Sequence, residues 1–568
     1  MCALVVGTCA TSSANEADEK TTAVDDIFRD YAKAGSPGCA LAIYRDGAII
    51  HEKGYGLANI EQGTSITPQS VFDIGSTSKQ FTAASVLLLE KQARLSVDDD
   101  VRKYIPELPD YGQTITILHL LNHTSGLRDY LDLMWLEAIN FDSVTTDDDA
   151  LQIVVRQKAL NFARGSDWLY SNTGYFLLSV IVKRVSGKTL REFASENIFA
   201  PLQMTHTQFR DDHTALIANR ALAYVPNEKE GGYALDVSYF EQTGDGAVHT
   251  SVEDLQKWDE NFYTGQVGGT AILAQMQEQG KLNSGKVLDY AKGLFIADYR
   301  GLRTVRHGGS WGGYRAELLR FPDQHFSVAC LCNRGDANPL EKALQVADIY
   351  LGSLMRPSED TATVQGGPGA ATPTDEQLAK VSGTYRDVTT GAMARVSVRD
   401  HRLLAYILGT KAELRATSPT EFVTESAPEI RLIFEPASDG APKKMRIASG
   451  KAAAAEYEAV ADYAPSAAEL NAHSGDYASD ELAVSFRLGM VEDKLKLVAI
   501  LDPAGLKRSG GVPLNELRPA LVDEFELNGT AVTLHFARNV EHAITGFRLD
   551  AGRARGMIFT RHTAAERQ

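Results

Sequence analysis

The sequence predicts an α/β (α+β) domain, one antiparallel sheet flanked by helices, followed by two small all-β antiparallel barrels. Three observations predict it. Strand patterns stand at both ends of residues 22–356 with helical patterns between them, a stretch of Pro, Gly, Ala and Thr follows, and one sequence pattern then occurs twice.

In chain order, CALAIYRDGAIIHEKGYG reads as two strands around the turn Arg45-Asp46-Gly47. Lys79 to Arg94 reads as a helix, apolar on most faces through Phe81, Val86, Leu87, Leu88 and Leu89, and therefore central. Asp98-Asp99-Asp100 and Asp147-Asp148-Asp149 precede expected helices, where acidic side chains favour the dipole; neither has calcium-loop spacing. AELLRF and FSVACLC flank Pro322-Asp323-Gln324 as a hairpin, and LEKALQVADIYLGSLM is helical.

Residues 357–375 read as a linker, because nothing in them buries enough surface to offset ordering. Two barrels are expected beyond, over residues 376–464 and 465–564. Pro373, Leu378, Ser382, Gly383 and Tyr385 recur as Pro465, Leu470, Ser474, Gly475 and Tyr477 at one constant offset. Leu432, Phe434, Met445, Ile447 and Gly450 recur as Leu534, Phe536, Phe547, Leu549 and Gly552 at a longer one. The second copy thus carries about ten extra residues, placed in LDPAGLKRSGGVPLNEL (Leu501 to Leu517). Short alternating runs such as IRLIF and VTLHF make both copies antiparallel β.

A net charge of −17 with no basic run to offset it disfavours nucleic acid and acidic lipid surfaces. No segment reaches the ~20 uninterrupted apolar residues of a membrane helix. Residues 1–21 resemble the end of a secretory signal, with Cys9 poorly matching a lipoprotein site. The expected location is periplasmic or secreted, lipid-anchored if Cys9 is modified, with a ragged cytosolic terminus as the alternative. Cys39, Cys330 and Cys332 read as buried, inert thiols; the last two alternate on one strand face, badly placed to bond each other. With no CxxC, HExxH or His/Cys cluster, no metal and no cofactor are expected. The oligomeric state stays open, a homodimer among the options.

Three short motifs carry chemistry. Ser76-Thr77-Ser78-Lys79 opens the apolar helix, where the serine feels the positive end of the dipole and its N–H can face an oxyanion. Lys79, one turn on, can relay the hydroxyl proton if burial depresses its pKa. The competing reading is an N-cap followed by a solvated lysine. Tyr170-Ser171-Asn172 precedes another apolar helix, YFLLSVIVKRV. A tyrosine beside a buried ammonium ionises more readily and suits a general base, while Asn172 suits a substrate amide carbonyl. Packing beside a helix cap is the bland alternative. In His307-Gly308-Gly309-Ser310, glycines such as Gly309 let another backbone approach, Ser310 N–H is a second oxyanion donor, and His307 is the polar group alongside. Gly308 to Gly312 also fits the G-x-S-x-G elbow of an α/β-hydrolase with Ser310 as nucleophile, but the residues that follow read as strand, not helix.

Together and in this order, the motifs resemble the class C β-lactamase and DD-peptidase-like serine hydrolases (peptidase family S12) over about Asp25 to Met355. FDIGSTSKQFTAASVLLLEKQARLSVDDDVRKYIPELP, LLNHTSGLRDY and GDGAVHTSVEDLQKW look like that family. The resemblance implies a β-lactamase/transpeptidase-like fold with Ser76 as nucleophile, Lys79 and Tyr170 managing the proton, and Asn172 on the substrate amide. It also implies an oxyanion hole from the N–H groups of Ser76 and Ser310. The family's usual Lys-Thr-Gly is here His307-Gly308-Gly309. A mostly neutral histidine anchors a substrate carboxylate less well than lysine, which argues against efficient penicillin hydrolysis. The His-x-Gly form resembles D-aminopeptidases and family VIII-type carboxylesterases, and a catalytic domain followed by two lipocalin-like barrels resembles the former. SGDYASDELAV looks like the start of the last barrel. By that likeness the extra residues form a loop over the site, where Asp502 or Glu516 draws a substrate amine. The expected partner is a small peptide, amide or ester. Weak β-lactamase or DD-carboxypeptidase activity, and a catalytically inactive scaffold, are the alternatives.

Overall fold

The computed structural model describes residues 9–562 except 141, 358–372, 408–409, 425–429, 436, 438–442, 450–453, 503–506 and 509–510. The chain forms two compact units, Met1–Leu131 with Asn140–Pro357, and Asp132–Ile139 with Ser358–Gln568. Most of the expected linker and the repeat residue Gly450 lie outside the described residues.

In the first unit, helix α1 (Cys9–Ile27) precedes strands β1 (Cys39–Arg45) and β2 (Ala48–Tyr55). It runs across the boundary expected at residue 21, while residues 1–8 of the expected signal lie outside the described residues. Asp46 and Gly47 both have positive φ, the conformation a two-residue hairpin requires. Next come α2 (Lys79–Lys91) and α3 (Asn172–Ser186), then β3 (Phe295–Tyr299), β4 (Leu302–Trp311), β5 (Tyr314–Phe321), β6 (Phe326–Cys332) and α4 (Pro339–Leu351). The strands make one antiparallel sheet in the order β3-β4-β5-β6-β1-β2. Val24 of α1, Phe28 just beyond its end, and Ala343, Val346 and Leu351 of α4 bury one face over Leu319, Val328 and Cys330. Asp100 of the first acidic triplet caps a single 3-10 turn, Val101–Lys103, and the second triplet opens a helix, where Thr146 and Asp149 form a reciprocal capping box.

Cys39 and Cys332 correct the reading of inert thiols. They stand opposite each other in the β1–β6 register, 4.0 Å apart at Cα, and are joined in a disulfide. Cys330 stays a buried free thiol. The sequence shows neighbours along a strand but not partners across a sheet, so the bond was hidden. Such bonds contribute about 2–4 kcal/mol, so a C39S/C332S variant is expected to lose several degrees of Tm in a thermal scan. Unreduced, denatured protein should expose two fewer alkylatable thiols than reduced protein.

The second unit holds both repeat copies. Eight strands, from Gly383–Asp387 to Ala455–Val460, close into a barrel through pairing of the first with the last. The repeated residues form one device twice. A short helix buries Leu378 or Leu470, and the following tyrosine donates to the carbonyl four residues back, Tyr385 to Val381 at 2.6 Å and Tyr477 to His473 at 2.8 Å. Phe434 and Met445, and their counterparts Phe536 and Phe547, fill the two interiors. The second copy is a nine-stranded sheet whose edges are Lys507–Arg508 and Leu517–Leu521, so its seam falls in the extra residues. Leu497 N–H donating to the Asn515 carbonyl nearly closes it. Asp132 belongs to this unit and forms an ion pair with Arg553.

Candidate active site

The site grows from a close approach of two backbones in the first unit. Gly75–Ser78 is a 3-10 turn leading into α2, and Gly75 has φ of +48°. A β-carbon on Gly75 would stand 2.7 Å from Ser310 N, and one on Gly309 only 1.8 Å from the Ile74 carbonyl oxygen. Only glycine at both positions lets β4 lie against the turn, which brings the Ser76 and Ser310 main chains together. Thr77 Oγ1 donates to the His307 carbonyl at 3.1 Å, and Ser78 Oγ accepts Val248 N–H at 3.0 Å, pinning the turn on both sides.

Lys79 is fully buried beneath this turn. Its Nζ donates to Ser76 Oγ at 3.0 Å, Asn172 Oδ1 at 2.9 Å and the Asp245 main-chain carbonyl at 2.6 Å. An ammonium has three N–H donors, and here each has an acceptor. Nζ also lies 4.8 Å from the Tyr170 ring centroid and 5.5 Å from that of Tyr175, over faces that favour a cation. Burial raises the Asp245 carboxyl above the ordinary range against the pull of the Lys79 charge, with Asp129 adding to the rise.

His307 closes the other side. Its Nδ1 lies 2.6 Å from the Gly308 carbonyl oxygen, so Nδ1 carries the hydrogen, and Nε2 then accepts from the Tyr290 hydroxyl at 3.2 Å. Burial, and then the Lys79 charge, lowers the imidazole to about 3. The residue is neutral at every physiological pH. Long-range proton–nitrogen NMR is expected to show a protonated Nδ1 and no titration of His307 between pH 5 and 8. A midpoint near 6.5 would contradict the packing.

The structure therefore gathers Ser76, Lys79, Tyr170, Asn172, His307, Gly309 and Ser310. Asp502 and Glu516 belong to the second unit: Asp502 follows strand Lys494–Leu501, and Glu516 already accepts from Lys494 at 2.9 Å. Residues passed over individually include Asp129, Tyr130 and His123, whose ring lies 4.4 Å from that of Tyr170 and whose Nδ1 accepts Ser171 N–H. Asp245, whose carbonyl accepts from Lys79, and Tyr290, whose hydroxyl meets His307, stand outside the three short motifs as well. All but Tyr290 lie in LLNHTSGLRDY or GDGAVHTSVEDLQKW, the two stretches already noted for their family likeness.

A sheet with a buried lysine beside an accessible serine at a helix start defines a serine hydrolase. A family model described as beta-lactamase matches residues 24–351, and the chain belongs to that family. Penicillin-binding protein 4* of Bacillus subtilis is 29% identical over 393 residues, 66% of this chain and 85% of that protein. A D-aminopeptidase of Gluconobacter oxydans is 25% identical over 366 residues, 64% of this chain and 66% of that one. Among solved structures, the octameric penicillin-binding protein homologue from Pyrococcus abyssi aligns with TM-score 0.56 at 23% identity, over 78% of this chain and 99% of that one. That last likeness is one of fold. Among the described residues, no helix is long and apolar enough to cross a membrane.

Proposed function

We propose that this serine hydrolase cleaves small amide or ester substrates through an acyl-enzyme on Ser76, with a D-aminopeptidase-like preference. The observation that carries the reading is the buried Lys79 Nζ, which reaches Ser76 Oγ, Asn172 Oδ1 and the Asp245 carbonyl together: as an ammonium it gives its N–H groups to these acceptors and orients Ser76 Oγ, with no lone pair left to take the proton. Tyr170, its ring beneath that cation, is the base, since a neighbouring ammonium favours phenolate. Ser76 Oγ bonds to the carbonyl carbon while its proton passes to Tyr170. The oxyanion forms under the N–H groups of Ser76 and Ser310. As the carbon–nitrogen or carbon–oxygen bond breaks, Tyr170 returns the proton to the leaving group. Water then repeats the sequence, releasing the acid and restoring Ser76.

Neutral His307 supports the choice of substrate, because it offers no cation to a substrate carboxylate. The likeness to a D-aminopeptidase supports it also. Side-by-side assays of D-alanine p-nitroanilide, a short p-nitrophenyl ester and a chromogenic cephalosporin test it. The anilide is expected to be turned over and the cephalosporin hardly at all; turnover of the ester alone would replace the aminopeptidase reading with an esterase one. The expectation that Leu501 to Leu517 select among substrates, with Asp502 or Glu516 drawing a substrate amine, stays a proposal; residues 503–506 and 509–510 of that stretch lie outside the described residues. Its excision should admit larger substrates in the same assays. The Cys39–Cys332 bond supports an oxidising compartment, periplasmic or extracellular.

A further inference from the structure

Two of the three acceptors around Lys79, Asn172 and Asp245, are 73 positions apart in the chain (245 minus 172). Both are tied to one buried tripeptide, Arg128-Asp129-Tyr130. The Asp129 carboxylate accepts the main-chain N–H of Asn172 at 2.6 Å and its Nδ2 at 3.4 Å. A side-chain amide has a donor end and an acceptor end, so drawing Nδ2 to a carboxylate turns Oδ1 to the ammonium, 2.9 Å away. The reversed amide would set donor against ammonium and acceptor against carboxylate, in a place where unsatisfied polar groups are costly. The Tyr130 hydroxyl donates to Asp245 Oδ2 at 3.1 Å, and the same Asp245 receives Lys79 on its main-chain carbonyl at 2.6 Å. The strap is stitched to α3 as well: Tyr130 N–H donates to Thr173 Oγ1, which donates to the Arg128 carbonyl, both at 2.7 Å.

We infer that Asp129 and Tyr130 are positioning residues for Lys79: they hold Asn172 and Asp245 as its two fixed acceptors and so aim its third N–H at Ser76. This rests on the reading of Ser76 as nucleophile. A further consequence is electrostatic. Among the described residues, the titratable groups packed against Lys79 and its neighbour Tyr170 include Tyr175 of α3, His307 of β4, Asp245, His123 and Tyr290, with Asp129 behind Asn172. Neutralising Asp129 removes a negative charge that helps Lys79 and Tyr170 keep their protons, so both limbs of a pH–rate profile move to lower pH.

The test labels the full-length protein with a fluorophosphonate, which reacts at a serine but has no amide for Asn172 to hold. Asp129→Asn is expected to lower the maximal labelling rate about 100-fold, leave the half-saturating probe concentration unchanged, and shift the profile to lower pH. Tyr130→Phe, which keeps the ring, should lower the rate about tenfold without the shift. D129N/N172D restores a complementary pair and a carboxylate acceptor for Lys79, and should recover part of the rate. Asp129→Asn and Tyr130→Phe labelling at wild-type rates with unmoved profiles, while Ser76→Ala does not label, overturns the strap and leaves the nucleophile standing. Equal labelling of wild type and Ser76→Ala overturns the nucleophile reading and the strap with it. If Asp129→Asn does not fold, Tyr130→Phe decides alone.

Discussion

Ser76→Ala is expected to lower turnover of any substrate the panel identifies by about 10⁴-fold or more, and to abolish fluorophosphonate labelling. The variant removes one oxygen, the atom 3.0 Å from Lys79 Nζ, and leaves the turn that presents it. That turn is held by Thr77 on the His307 carbonyl, by Ser78 on Val248 N–H and by Gly75 against Ser310, none of which involves the Ser76 hydroxyl. Folding should therefore survive, with a Tm close to wild type, and the loss reads as chemistry alone. Lys79 keeps its other two acceptors, so the buried cation is not abandoned. Persistent labelling would move the nucleophile elsewhere, with Ser310 the alternative that the G-x-S-x-G pattern raised. The structure already weighs against Ser310: it lies inside β4, which continues to Trp311 and pairs back as a hairpin with β5, whereas a nucleophile elbow passes directly into a helix.

What the sequence made legible was local. The Arg45–Gly47 hairpin, the apolar α2, the β5–β6 hairpin and the doubled pattern of the barrels are each written in residues a few positions apart, and each appears in the fold. The side chains gathered around Ser76 were legible because three short motifs carry them. What escaped depends on partners remote in sequence. Cys39 and Cys332, 293 positions apart, meet only because β6 pairs with β1 in one register. Asp129 looks like any acid after a turn until α3 sets Asn172 against it. The histidine tautomer likewise needs both Gly308 and Tyr290 in place. Periodicity reports which face a residue takes, not what that face meets.

Gly309→Ala should cost catalysis far more than a methyl group suggests. Its β-carbon would fall 1.8 Å from the Ile74 carbonyl oxygen, 2.7 Å from the Ile74 carbonyl carbon and 3.1 Å from Ser76 N. Those atoms are backbone on both sides, with no flexible side chain to yield, so β4 must retreat from the turn by roughly the missing ångström. The retreat carries the Ser310 N–H away from the Ser76 N–H, and loss of one oxyanion donor costs about 10²–10³-fold in kcat. Since the donor acts on charge that develops only in the transition state, kcat and kcat/KM should fall together while KM holds. Overpacking also costs about 1–3 kcal/mol of stability, so kinetics are read well below the variant's own Tm. Gly246→Ala supplies the control: its β-carbon meets nothing nearer than the Gly75 carbonyl at 3.9 Å, an ordinary contact beside the same turn, and kcat should stay near wild type. Should Gly309→Ala retain wild-type kcat, the Ser310 N–H is not an oxyanion donor, and the glycine pair serves packing alone.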